Sequence, residues 1–182
     1  METAKVTIEE LFKHFGSLPV PYDLQLETVE WSETRNRIIQ RDNGFCTKCG
    51  RGPTIAHSGR NSFFGYKLKT PIVSEDTTIN SDEKELYGSD KYVHLEVHHK
   101  YYVAGKYAWQ YPDNALITLC SGCHQEVHNT EHIPYYNSIG KALGYTPCGR
   151  CNGRGWLAEY KHVQGGKCFG CKGARYEELI RR

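Results

Sequence analysis

Eight cysteines constrain this chain more than any other feature, because all of them fall in four CxxC pairs: Cys46/Cys49, Cys120/Cys123, Cys148/Cys151 and Cys168/Cys171. A CxxC turn presents two thiolates to one side, and two such turns close a tetrahedral site around Zn²⁺. A disulfide framework rarely shows such uniform short spacing, and no apolar signal segment stands at the start of the sequence. Four pairs combine into two sites in three ways. Sequential nesting keeps each module coherent, with Cys46, Cys49, Cys120 and Cys123 on one structural zinc and Cys148, Cys151, Cys168 and Cys171 on a second. The expectation is a soluble protein in a reducing, cytoplasmic setting. No apolar run approaches the length that crosses a bilayer, so no membrane partner is expected.

Residues 95–128 carry a second signal. Val93, Leu95 and Val97 alternate with His94, Glu96 and His98, which predicts a strand that ends on His98 and His99. The apolar run at 116–119 leads into Cys120, and a helix after it would set His124 and His128 one turn apart on one face. Any one of these histidines alone reads as a surface or capping residue. Four at these spacings, beside a zinc-stapled helix, point to a site of His98, His124 and His128 that leaves positions open on one divalent ion (Mg²⁺, Mn²⁺, Ni²⁺ or Zn²⁺). His99, on the opposite side of an extended strand, would serve as a base near neutral pH.

Around this centre the 182 residues suggest modest cores and an α+β organisation. The expected domains are an N-terminal helical extension at 1–26, a central domain at 27–134 and a zinc-knuckle module at 145–182. Thr7 and Glu10 have capping-box spacing before the apolar stripe Ile8, Leu11, Phe12 and Phe15. Residues 17–29 read as an extended connector, and a second helix is expected over 32–41 with Ser32 as its N-cap. Its Arg35, Arg37 and Arg41 either touch phosphates or form a wet helix face. Residues 51–91 lose periodicity and read as a polar insertion, mobile over 74–90, although Phe63, Phe64 and Tyr66 before it could pair as a strand. The aromatic-rich 101–109 fits a hairpin or a wide loop, and 135–145 reads as a short helix followed by a linker.

The combination of CxxC, then VHH, then LCxxCHxxxH resembles the HNH endonuclease family over roughly 31–128. That resemblance implies a ββα-metal fold, with a β-hairpin and a helix holding one catalytic ion, and metal-assisted hydrolysis of phosphodiester bonds in DNA, RNA not being excluded. It implies His99 as general base and His98, where many members have Asp, as a metal ligand with His124 and His128, as in the histidine-rich, colicin-type version. The family's asparagine stands just before the leucine of an LxxLC run; here Ala115 precedes Leu116. Asn114, one position early, either orients His99 or is a turn residue after Pro112 and Asp113.

The stretches CGRCNGRG and CFGCKGAR echo each other and resemble half of a DnaJ-type zinc-binding domain, the second departing from GxG at Ala174 and Arg175. Nine Lys and Arg stand against three Asp and Glu in 141–182. Arg150, Arg154, Lys167, Lys172 and Arg175 are therefore candidate contacts to a phosphate backbone. A non-catalytic zinc module that binds nucleic acid or protein is the competing expectation.

Overall fold

The computed structural model describes residues 5–16, 20–57, 62–70, 81–160 and 162–180. In chain order the elements are α1 (Ile8–Phe15), α2 (Tyr22–Gln25), α3 (Val29–Arg41), β1 (Arg51–Ala56), β2 (Phe63–Leu68), β3 (Lys84–Ser89), β4 (Leu95–His99), β5 (Tyr102–Val103), β6 (Leu116–Cys120), α4 (Ser121–Thr130) and β7 (Tyr135–Tyr136). The class is α+β, with few helices and small sheets. Among the described residues no helix is long and apolar enough to cross a membrane. Contacts divide the chain into two units, one of Arg35–Lys100 with Pro112–Val127, the other of Met1–Thr34, Tyr101–Tyr111 and His128–Arg182.

In the first of these units, β4 and β6 pair antiparallel, from Leu95 opposite Cys120 to His99 opposite Leu116. α4 follows β6 without a break, and its first amide, Ser121 N, donates to His94 O across the start of β4 at 3.0 Å. The hairpin interior is tight: Leu116 and Thr118 are 0% exposed, as is Ile38 of α3. The arginines of α3 fasten this hairpin. Arg35 Nη2 donates to Leu95 O at 2.8 Å, and Arg41 reaches Leu116 O at 2.9 Å and the Asp113 carbonyl at 2.5 Å. Arg37 pairs with Asp113 at 3.0 Å on the surface. Asp42 is buried, accepts from Thr118 N at 2.8 Å and is held by Arg41 at 2.8 Å.

The expected polar insertion is a sheet over much of its length. β1, β2 and β3 form an antiparallel sheet in that order, with Gly65 of the central strand opposite both Thr54 and Tyr87. A Cβ at Gly65 would collide with the Pro53 carbonyl, so a glycine is required where the two backbones close. Pro53 lies in an edge strand beside an irregular register, the place where a missing N–H is tolerated. The predicted mobile segment falls partly on 74–80, which lie outside the described residues; Lys84–Ser89 is strand.

In the second unit the capping box expected for the first helix is present, and several other expectations are corrected. α1 has the capping box, with Glu10 N donating to Thr7 Oγ1 at 3.3 Å and Thr7 N to Glu10 Oε2 at 2.7 Å. Within the expected connector, Pro21 precedes the single turn of α2. α3 begins three residues before the expected start because Thr28, not Ser32, caps it: Thr28 Oγ1 accepts from Trp31 N at 3.2 Å. The expected helix at 135–145 is absent. Asn137 Oδ1 takes the Ile139 and Lys141 amides at 3.1 and 2.8 Å, which closes a turn in place of a helical one. The aromatic segment is a loop after Tyr102 and Val103, which pair parallel with β7 and not in a hairpin.

The C-terminal knuckles are near copies in structure. Asn152 N donates to Cys148 O and Lys172 N to Cys168 O, at 2.8 and 2.7 Å. Arg154 N bonds Cys151 O as Ala174 N bonds Cys171 O, at 3.1 and 2.9 Å. Each knuckle also accepts from the other's first cysteine: Gly155 O from Cys168 N at 2.9 Å, and Arg175 O from Cys148 N at 2.8 Å. The pair is tied to the rest of its unit by Tyr176, whose hydroxyl donates to Ile133 O at 2.8 Å, and by Asn152, whose side-chain amide donates to His128 O.

Candidate metal centres

Two groups of four cysteines each bring their sulfurs within 4.8 Å of one another, and they are the nested sets expected: Cys46, Cys49, Cys120, Cys123 and Cys148, Cys151, Cys168, Cys171. Cys49 and Cys120 lie 3.6 Å apart, sulfur to sulfur, as do Cys151 and Cys171. A disulfide needs ~2.05 Å, whereas four sulfurs at ~2.3 Å from one zinc stand ~3.8 Å apart. The donor sets therefore fit structural Zn²⁺, and both sites could bind it. Backbone amides steady the thiolates: Cys123 N donates to Cys120 Sγ at 3.5 Å and Gly155 N to Cys151 Sγ at 3.2 Å. Hydrogen bonds from Cys46 and Cys49 draw the Cys120 thiol far down, and a hydrogen bond from Cys151 takes Cys171 down to about 5.

The third group is His98, His124 and His128, whose ring nitrogens also lie within 4.8 Å of one another. His98 comes from β4 and the other two from successive turns of α4, so one strand and one continuous helix supply all three. His98 is 2% exposed and His128 3%, and the His98 and His124 rings meet edge to face at 5.1 Å. Three imidazoles so placed offer neutral donors of the kind that hold a first-row divalent ion.

Glu96 was missed as a functional residue. It shares the strand face of His98, two residues before it, and its carboxylate accepts from His124 Nδ1 and, at 2.7 Å, from His94 Nε2. Burial works to raise its carboxyl, but hydrogen bonds from His124 and His94 outweigh that and hold it well below the usual carboxylate range. With Nδ1 committed to Glu96, His124 presents Nε2 to an ion, the arrangement in which a carboxylate fixes the tautomer of a ligating histidine. The signal available in the sequence was positional: a Glu at i−2 from the strand histidine.

His99 ends β4 and is 2% exposed. The two-residue alternation puts it on the face of Leu95 and Val97, opposite His98 and Glu96. Asn114 is exposed within a 3₁₀ turn, and the contact it makes is through its main chain, its carbonyl accepting from Lys100 Nζ at 2.8 Å.

The basic residues of the C-terminal module separate by environment. Arg150 and Lys172 are exposed, and Arg150 lies over the Phe169 ring at 5.4 Å. Arg154 is half-buried and donates to Cys151 O at 3.1 Å; Lys167 pairs with Asp23 at 2.7 Å. Arg175 is interior, 8% exposed between two tyrosine rings, because the second knuckle turns its side chain inward. That position departs from the expected surface contact to phosphate. Comparison with models of known protein families, with characterised proteins and with solved structures gave no match.

Proposed function

We propose that the chain is a metal-dependent endonuclease of the HNH type that hydrolyses phosphodiester bonds in DNA. The observation that carries this reading is the trio His98, His124 and His128, set by an antiparallel hairpin and the helix that follows it, with Glu96 behind His124. These three imidazoles would hold one divalent ion (Mg²⁺, Mn²⁺, Ni²⁺ or Zn²⁺). When bound, such an ion supplies Lewis-acid stabilisation of negative charge at phosphate oxygens and on the departing oxygen. His99 is the proposed general base, taking a proton from the attacking water at an imidazole nitrogen. Glu96 is a positioning residue that fixes the His124 ring. Arg150 and Lys172, both exposed, are proposed contacts to the phosphate backbone. A reducing, cytoplasmic setting belongs to the same reading, since it keeps the eight thiols available to zinc.

A second reading is favoured by the burial of His99: a non-catalytic zinc module that binds nucleic acid or protein, with the imidazole group as a further structural site. Cleavage of supercoiled plasmid and of a single-stranded RNA, with Mg²⁺, Mn²⁺ or Ni²⁺ added to the zinc-loaded protein, separates the two. The nuclease reading expects relaxed or linear plasmid, and loss of that activity in His99→Ala with zinc content unchanged. Metal uptake by the imidazoles with no cleavage of either substrate would support the binding module instead. Equal cleavage by wild type and His99→Ala would remove His99 as base.

A further inference from the structure

The second knuckle carries an arginine where its twin carries a glycine. Gly155 and Arg175 occupy equivalent places, each accepting from the first cysteine amide of the opposite knuckle, and both have a φ of 73°. That left-handed conformation is free for glycine and strained for arginine. Strain of this kind at a non-glycine residue points to a use for its side chain.

Arg175 is 8% exposed, with its guanidinium 3.6 Å from the Tyr22 ring centre and 3.8 Å from that of Tyr102. Its Nε and Nη1 are buried without a hydrogen-bond partner. Asp23, a nearby carboxylate, is already held by Lys167 at 2.7 Å. The surrounding phenols supply no counter-charge, since burial pushes Tyr22 well above its ordinary value and Tyr111 up to about 12. Two ring faces attract a cation, but they leave Nε and Nη1 without an acceptor.

Arg175 lines a cavity of about 890 Å³ together with Tyr22, Tyr102, Tyr111, Tyr135, Lys106 and Lys172. That volume lies within the ~300–1,000 Å³ of small-molecule sites. Tyrosine walls favour a planar ring, and three cations around a single carboxylate that is itself paired favour an anion. A nucleotide combines both: a base with π-faces and a phosphate that matches a guanidinium.

We infer that this cavity binds a nucleoside 5′-monophosphate unit, with the phosphate paired to Arg175 and the base against the tyrosine wall. The unit is either a free nucleotide or the phosphorylated end of a strand. The inference does not rest on the nuclease reading, because none of His98, His99, His124 and His128 lines the cavity.

Calorimetric titration of the zinc-loaded full chain with AMP, with adenosine and with inorganic phosphate tests it. AMP is expected to bind at least tenfold more tightly than adenosine. Arg175→Gly restores the glycine of the twin knuckle and relieves the backbone strain, so it is expected to keep its zinc while losing AMP affinity at least tenfold. Arg175→Lys is expected to lose affinity too, because an ammonium lacks the flat face that the two rings enclose. Displacement of AMP by a 5′-phosphorylated oligonucleotide, and not by its 5′-hydroxyl form, assigns the site to strand ends; displacement by neither assigns it to free nucleotide. No AMP binding by the wild type, equal binding of AMP and adenosine, or unchanged AMP affinity in Arg175→Gly would each overturn the inference. Should Arg175→Gly shed zinc, Lys106→Ala at an exposed position decides, a fall in AMP affinity supporting the site and an unchanged one sinking it.

Discussion

Glu96→Gln separates an imidazole site that binds metal from one that merely packs. The substitution keeps the shape of the side chain but replaces the charged acceptor of His124 Nδ1–H and of His94 Nε2. A hydrogen bond to a charged group contributes ~1.5–3 kcal/mol. Glu96 is partly reached by solvent, its side chain 26% exposed, so the lower part of that range applies, about 1–2 kcal/mol. At about 1.4 kcal/mol per decade this is a five- to thirtyfold loss of affinity, which overlaps the ~10–100-fold seen when outer partners of ligating histidines are removed. The measurement is a calorimetric Ni²⁺ titration of protein whose cysteine sites are already filled with zinc, so that only the imidazoles report. Wild type is expected to take one Ni²⁺ per chain and Glu96→Gln to take it about tenfold more weakly with zinc content intact. Affinities within twofold of each other would refute the reasoning, since His124 would then be oriented without Glu96.

The remaining predictions concern stability. Stripping zinc with a strong chelator is expected to release two equivalents per chain and to lower the thermal midpoint sharply, followed with a metallochromic indicator and circular dichroism; release without loss of structure would mean the thiols are not structural ligands. Gly155→Ala puts a methyl 2.8 Å from Arg175 Cγ and 2.9 Å from Gly173 O at a φ of 73°, and should cost about 2–4 kcal/mol in denaturant unfolding. Gly149→Ala, where nothing lies within 4 Å, is the control and should cost under about 1 kcal/mol. Asp42→Ala leaves the Thr118 amide and Arg41 without their buried acceptor and should cost about 2–4 kcal/mol. Arg37→Ala breaks a pair whose partners are 51% and 45% exposed, so its cost should stay below about 1 kcal/mol; equal losses for the two would mean that burial does not set the cost of breaking these pairs.

The cysteine pairing was legible because spacing makes each CxxC a two-sulfur unit and module coherence chooses among the three ways of combining four of them, and the placement of His98, His124 and His128 because a strand end and a helical spacing carry it. Two sulfurs in a CxxC turn, and two histidines four apart on a helix, meet regardless of what surrounds them. What was not legible depended on distant partners. Ser32 and Thr28 are both capable N-caps, and only the tertiary path decides that Thr28 Oγ1 meets Trp31 N. The sheet of β1 to β3 lacks clean alternation because Gly65 and Gly88 stand where side chains would mark a face. At Asn137 the side chain competed successfully for helix amides, a contest that propensity leaves near balance. Asn114 sits one residue away from the family pattern, and the structure shows it on the surface. Arg175 counted as basic surface in the charge sum, and no composition argument distinguishes a wet guanidinium from one enclosed by tyrosines.

The different spans of the two successive cysteine clusters also set how the chain assembles. Cys151 and Cys171 are 20 residues apart, whereas Cys49 and Cys120 are separated by 71. On loop length alone, closing the longer span costs about 1.1 kcal/mol more in chain entropy, and it requires the three-stranded sheet and the β4–β6 hairpin to be accommodated inside the loop. In refolding from denaturant the C-terminal knuckles should therefore capture their ion early, while the longer Cys46–Cys123 clasp closes late with the hairpin it encloses. During synthesis the order is opposed, because Cys123 leaves the ribosome well before Cys148. The same native state is thus reached by two routes, one that begins from the end of the chain and one that begins from its middle.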